Sequence, residues 1–272
     1  MDDVTQPSRF FDPATGGTMV LQLEPDGARF RILRQFAYRD DAYREPFVVP
    51  ADVATFRTDL ASIPWFVAWL VPGLGTHLPA VLVHDALVLK PGEGKTHIGP
   101  DVDREEADRI LRDAMASLGT PLVRRWLMWT AVILATALCC LRPRWRWAPL
   151  VVATLSGIGG LGVLATLDLI DVIDVLPWMG DRGWVAELAG GGAFALLIPL
   201  ALSVLWGRLW RAGVIAGVAL ALLLHVTVAV IAVYGVYWGL ERLLALRGGA
   251  SPSPKANLED ADTSEGRYLP AQ

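Results

Sequence analysis

Hydrophobic positions follow two regimes along the chain. Up to about Pro121 they are interleaved with Asp, Glu, Arg and turn residues, and beyond it they merge into long uninterrupted runs. In the first regime, Met19–Leu23 and Ala28–Leu33 flank Glu24-Pro25-Asp26-Gly27. Pro presets one central dihedral there and Gly supplies a positive φ, so the pattern predicts a β-hairpin turning at those four residues. Phe36–Tyr38 and Pro46–Val49 add short strands. Ser62 then stands as N-cap, and Pro64 as first-turn residue, of a short apolar helix over Trp65–Leu70 that Pro72-Gly73 closes. A second helix covers Pro79–Leu89, PAVLVHDALVL, and Pro91–His97 is an exposed loop in which His97 is expected to be solvated. Asp103–Leu118 is amphipathic, with Ala107, Ile110, Leu111, Ala114 and Leu118 on one face, Asp108 at its edge, and Gly119 as terminator.

In the second regime, Trp147–Leu167, Trp184–Trp206 and Ala212–Leu240 are each long enough to cross a hydrocarbon core of about 30 Å. Arg124–Leu141 is shorter and bounded by arginines, and reads as an interfacial helix or a fourth, short span. Trp145, Trp147, Trp178, Trp184, Trp206, Trp210 and Trp238 stand at the run ends, as interfacial anchors do. Ser156/Gly160 and Gly213/Gly217 have the small-residue spacing of close helix contacts, a face for a homo-oligomer. His225 reads as a helix-to-helix hydrogen bond, and Asp168, Asp171 and Asp174 as a solvated helix end. The expected fold class is a small α+β domain, antiparallel strands then packed helices, followed by an all-α transmembrane helical bundle. Its parts are a flexible leader (1–17), the α+β domain (18–123), the interfacial or short spanning helix with its basic loop (124–146), the membrane region (147–240) and a disordered tail (248–272).

Composition narrows the function classes. The 272 residues carry a net charge of −4, and arginines cluster only beside the apolar runs, so no nucleic-acid partner is expected. The partner is the lipid bilayer. The N-terminus is acidic and without an apolar core, unlike a signal peptide. The two cysteines, Cys139 and Cys140, are adjacent, and no bridge between them is expected. If the Arg124 helix does not cross, the Arg142-Pro143-Arg144-Trp145-Arg146 cluster and Arg208/Arg211 share a side with the domain. The positive-inside rule then makes the chain an integral protein of a bacterial cell membrane with a cytoplasmic N-terminal domain.

Candidate chemistry centres on His84 and Asp85, two titratable neighbours inside an apolar helix, where an unsatisfied polar group costs several kcal/mol. A neutral imidazole takes a proton from water when a carboxylate holds its other nitrogen. A helix carrying Asp108 that packs on the first can supply that carboxylate. Asp85, about 100° further round, would hold a divalent cation with Asp59. Ser62 and Arg104 are the further binding candidates. The His-Asp arrangement is similar to that of secreted phospholipase A2 enzymes, without their disulfides or glycine-rich calcium loop.

The ordered series Thr58-Asp59-Leu60-Ala61-Ser62-Ile63-Pro64, His84-Asp85, Arg104, Ala107-Asp108 and Gly119 resembles DUF1353, a phage-associated bacterial family of unknown function, over about Phe47 to Trp129. The resemblance implies a small α+β domain and no particular activity. Two functions follow as expectations: a membrane-anchored hydrolase using His84, Asp85 and Asp108, or a non-catalytic, phage-derived interaction module whose His-Asp pair is structural.

Overall fold

The structure, a computed structural model, describes residues 9–26, 29–58, 75–88, 94–180 and 182–247. Among the described residues, six short strands form two antiparallel three-stranded sheets. One has the order β1 (Phe10–Phe11), β4 (Phe36–Tyr38), β5 (Phe47–Val49); the other β2 (Leu23–Asp26), β3 (Arg29–Ile32), β6 (Arg57–Thr58). Helices follow: α1 (Leu78–Leu87), α2 (Arg104–Ser117), α3 (Leu122–Cys139), α4 (Arg144–Leu169), α5 (Trp184–Ser203), a 3₁₀ segment (Val204–Leu209) and α6 (Trp210–Arg247). The architecture is an α+β domain followed by a helical region with four apolar stretches.

The hairpin forms two residues later than its turn signal suggests. Asp26 pairs with Arg29, and Pro25 lies within β2 opposite Phe30. Pro donates no ladder bond and survives because β2 is an edge strand. β1 falls in the stretch expected to be a leader. Phe10 is buried and pairs with Tyr38, their rings tilted at 43° with centroids 4.8 Å apart, which gives this polar segment an apolar anchor.

Helix boundaries follow capping chemistry. The Asp103 carboxylate accepts from the Glu106 N–H and starts α2. The helix ends in a Schellman motif, with Gly119 at φ +69°, its N–H on Ala116 O and the Thr120 N–H on Met115 O. Pro79 stands in the first turn of α1, where a missing N–H breaks no helical bond.

The domain core joins Ile32, Phe36, Tyr38, Phe47 and Val49 of the sheets to Leu82, Val83 and Ala86 of α1 and Ile110, Leu111 and Met115 of α2. Helix α3 runs antiparallel to α2, since Arg104 meets Thr136 while Arg112 stacks over Trp126 and Trp129. It presents two neighbouring rows. Met128 and Val132 join the domain core, whereas Trp129, Ile133 and Ala137 join a second cluster with Trp147, Val151, Trp206, Leu209 and Ala212.

Among the described residues, four helical stretches are long and apolar enough to cross a membrane: Leu122–Cys139, Arg144–Leu169, Trp184–Leu224 and Val226–Ala245. The third is not straight. Gly207, at φ 53° and ψ −117°, reverses the chain, so that a Cβ on Gly217 would lie 2.7 Å from Pro199 Cβ. Contacts divide the chain into two compact units, Met1–Leu224 and His225–Gln272. In the second, Arg242 lies over Trp238 at 4.0 Å, and the side chain of His225 is outside the described residues.

Three expectations about polar residues are corrected. His97 is buried, its Nδ1 3.2 Å from Ala86 O and its Nε2 3.0 Å from Pro100 O, because the loop folds back on α1. Asp168 is buried as well. Its Oδ2 accepts from the N–H groups of Val175 and Leu176 at 3.0 and 2.9 Å, holding the α4–α5 loop. Cys139 and Cys140 are bridged, with sulfurs 2.14 Å apart at the end of α3.

Candidate functional site

Three helices converge on one carboxylate. His84 lies in the last turn of α1, and its Nε2 is 2.7 Å from Asp108 Oδ1 on α2. The other oxygen, Oδ2, accepts a 2.7 Å bond from the Thr136 hydroxyl on α3. Thr136 in turn accepts from Arg104 Nε at 3.1 Å, one helical turn before Asp108. Asp108 is wholly buried (0% exposed) and Thr136 nearly so, while the His84 side chain keeps 12% of its surface open. A buried carboxyl group needs such partners, and here each oxygen has one.

This arrangement fixes the imidazole. In the tautomer in which Nε2 donates to Asp108, Nδ1 presents the lone pair. The ring can therefore accept a proton at Nδ1 while the carboxylate stabilises the resulting cation. Asp85, the next residue, is half-buried. Asp59 and Ser62 lie outside the described residues, so the carboxylate pair expected to hold a cation has one described member. Among the described residues, no three His, Cys, Asp or Glu side chains cluster as metal ligands.

Sequence reasoning missed two parts of the polar architecture. Thr136 was hidden in an apolar run; the available signal was a hydroxyl one helical turn beyond Val132, on the row that faces the domain. The second is Arg109, which meets three carboxylates. It forms a two-pronged pair with Asp40 at 2.9 and 3.2 Å, with Glu106 at 2.8 and 2.9 Å, and with Asp113 at 2.8 Å. Asp40 is buried, and its distance from Arg109 in sequence conceals the pair. The guanidinium pKa is raised, first by hydrogen bonding to Glu106. Burial raises the Asp113 carboxyl, but Arg112 and Arg109 outweigh it and leave it below its ordinary value. Tyr38 is pushed up to about 12, by burial and then by the nearby Asp40 charge. Beside this cluster, Arg9, Asp41, Ala116 and Ser117 help to line a cleft of about 530 Å³.

An α+β domain with two antiparallel sheets, three packed helices and a buried carboxylate on a partly open histidine is thus defined. Residues 30–132 match the family DUF1353, a protein of unknown function, within the N-terminal half of the chain as its motifs suggest. No curated protein and no solved structure matches the chain.

Proposed function

We propose that this protein is a membrane-anchored hydrolase in which His84 is the general base and Asp108 its positioning carboxylate. The observation that carries the reading is the division of Asp108 between His84 and Thr136, which leaves Nδ1 as the imidazole's working nitrogen. Nδ1 takes a proton from water as the water oxygen attacks an ester carbonyl or phosphorus. The imidazolium then returns that proton to the leaving oxygen as its bond breaks. Arg104, tied to Thr136 through Nε, offers its Nη groups to a developing negative charge. Asp85, with Asp59, is the place for a divalent cation.

The cytoplasmic face of a bacterial cell membrane is the proposed location of the domain. Its α2 carries Arg104, Glu105, Glu106, Arg109, Arg112 and Asp113 and lies along α3, so an α3 that crossed the bilayer would drag these charges with it. Arg208, beside the chain reversal, pairs with Glu105 at 2.5 Å, which puts the domain at the arginine-rich end of the bundle. The positive-inside rule assigns that end to the cytoplasm.

A second reading is favoured by the depth of the network. Asp108 and Thr136 are almost sealed and tie α1, α2 and α3 together, as a structural lock in an interaction module would. His84→Ala and Asp108→Asn in the full chain separate the two. For the hydrolase, His84→Ala keeps its thermal midpoint within a few degrees while turnover of an ester and phosphoester panel falls about 10²–10⁴-fold. Loss of folding in both variants, with no hydrolysis by the parent protein, establishes the lock instead.

A further inference from the structure

Between the end of α5 and the start of α6, the chain leaves an open apolar groove. Leu197, Leu200, Ala201, Val204, Gly207 and Trp210 line it, and its volume is about 630 Å³. That is within the range of about 300–1,000 Å³ typical of small-molecule sites. The groove exists because Gly207 reverses the chain. On the inner side of the reversal the helices close, Gly213 lying under the Trp206 ring and Gly217 against Pro199. The groove lies alongside this closed contact, where the chain's own side chains do not fill it.

Arginines follow two of its lining residues in the chain, Arg208 after Gly207 and Arg211 after Trp210. The Arg211 guanidinium lies over the Trp210 ring, 5.6 Å from its centroid. Arg208 and Arg146 both lie over Trp147, at 5.9 and 5.7 Å, which gathers the ends of α4 and α6 into one basic collar. Arg208 keeps 59% of its side chain exposed even while paired with Glu105. Among the described residues, Arg142, Arg144, Arg146 and Arg211 have no carboxylate partner. An apolar slot below unpaired arginines and an interfacial Trp is complementary to an amphiphile with one long tail in the slot and a negative head.

We propose that this groove binds one anionic phospholipid, with an acyl chain along the α5–α6 slot and its phosphate on Arg211 and Arg208. The site rests on the membrane placement proposed above and is independent of catalysis at His84. A zwitterionic lipid would fill the slot and leave the collar uncompensated, so headgroup selectivity is the defining property.

The full chain in nanodiscs containing phosphatidylcholine and phosphatidylglycerol in equal amounts provides the test, with lipids retained on release weighed by native mass spectrometry. One phosphatidylglycerol is expected to be retained about fivefold or more over phosphatidylcholine, the factor that one arginine near an anionic headgroup supplies. Arg211→Gln should bring the ratio close to parity, Ala201→Phe should remove the retained lipid, and Arg142→Gln should leave it. Added inorganic phosphate should not displace the lipid; displacement assigns the arginines to a free anion and overturns the proposal. Equal retention of the two lipids, an unchanged ratio in Arg211→Gln, or a protein dimer that Ala201→Phe dissociates also overturns it. A chain that stays soluble without detergent overturns the membrane placement as well, whereas a membrane-inserted chain without lipid preference overturns the groove alone.

Discussion

In the α+β domain, Arg109 has three carboxylates within hydrogen-bond distance, whereas four arginines at the end of the bundle have none among the described residues. Three hydroxyls within the bundle helices bond locally: Thr154 and Thr166 donate to the carbonyls of Leu150 and Gly162 on their own helix, and Ser203 to Leu200. Contact between bundle helices depends on small residues, with Gly159 near Leu220, Gly162 near Leu224 and Gly217 near Pro199 and Ile158. The domain therefore joins distant segments by pairing charge, and the bundle joins them by bringing backbones close. In the membrane placement proposed above, helix–helix association gains little from burying apolar surface, and close backbone contact is the strategy that suits it.

The largest break in this contrast should come from Arg109→Ala. It leaves buried Asp40 facing Glu106 and Asp113 without their shared cation, and the expected loss is about 3–5 kcal/mol in denaturant unfolding of the domain. The helical signal of the bundle should survive it; simultaneous loss of both would show that the regions are one cooperative unit.

Alkaline titration is the next test. Tyr38 has its pKa raised to about 12 from an ordinary 10, so the folded state holds the phenol proton more tightly than the unfolded chain. Its stabilisation is complete below about pH 10 and disappears as pH rises through about 12, an expected loss of about 2–3 kcal/mol. Tyr38→Phe should flatten that slope in pH-dependent unfolding; an unchanged slope assigns it elsewhere.

The smallest effect is expected in the bundle. Gly217→Ala places a Cβ 2.7 Å from Pro199 Cβ and 2.9 Å from Ile158 Cδ1, and should cost about 1–2 kcal/mol as the helices separate. A lowered thermal midpoint of the bundle, with the domain transition unmoved, is the expected result. An unaltered bundle midpoint would show that the contact is loosely held.

Legibility in the sequence followed the range of the interactions. Asp103 as cap and Gly119 as terminator act within a single turn, and both are readable from neighbouring residues. The His84–Asp85 pair was conspicuous because its surroundings are apolar. Arg109 with Asp40, and Asp108 with Thr136, join residues 69 and 28 positions apart, so no local pattern announces them. His97 misled for a related reason, since a glycine-rich loop looks solvated until its packing against α1 is known. Part of the small-residue spacing has an internal use. Gly213 and Gly217 face their own chain, whereas a Cβ on Gly160 would meet nothing within 4 Å.

Thr136 also sets an order on the making of the site. A growing polypeptide that has emerged only as far as residue 132, where the family match ends, carries His84 and Asp108 but not the hydroxyl that takes the second carboxylate oxygen. That oxygen is satisfied only after the rest of α3 has emerged and docked along α2, the last stretch of chain ahead of the long apolar run of α4. Completion of the candidate site thus waits on the part of α3 that lies beyond the family match.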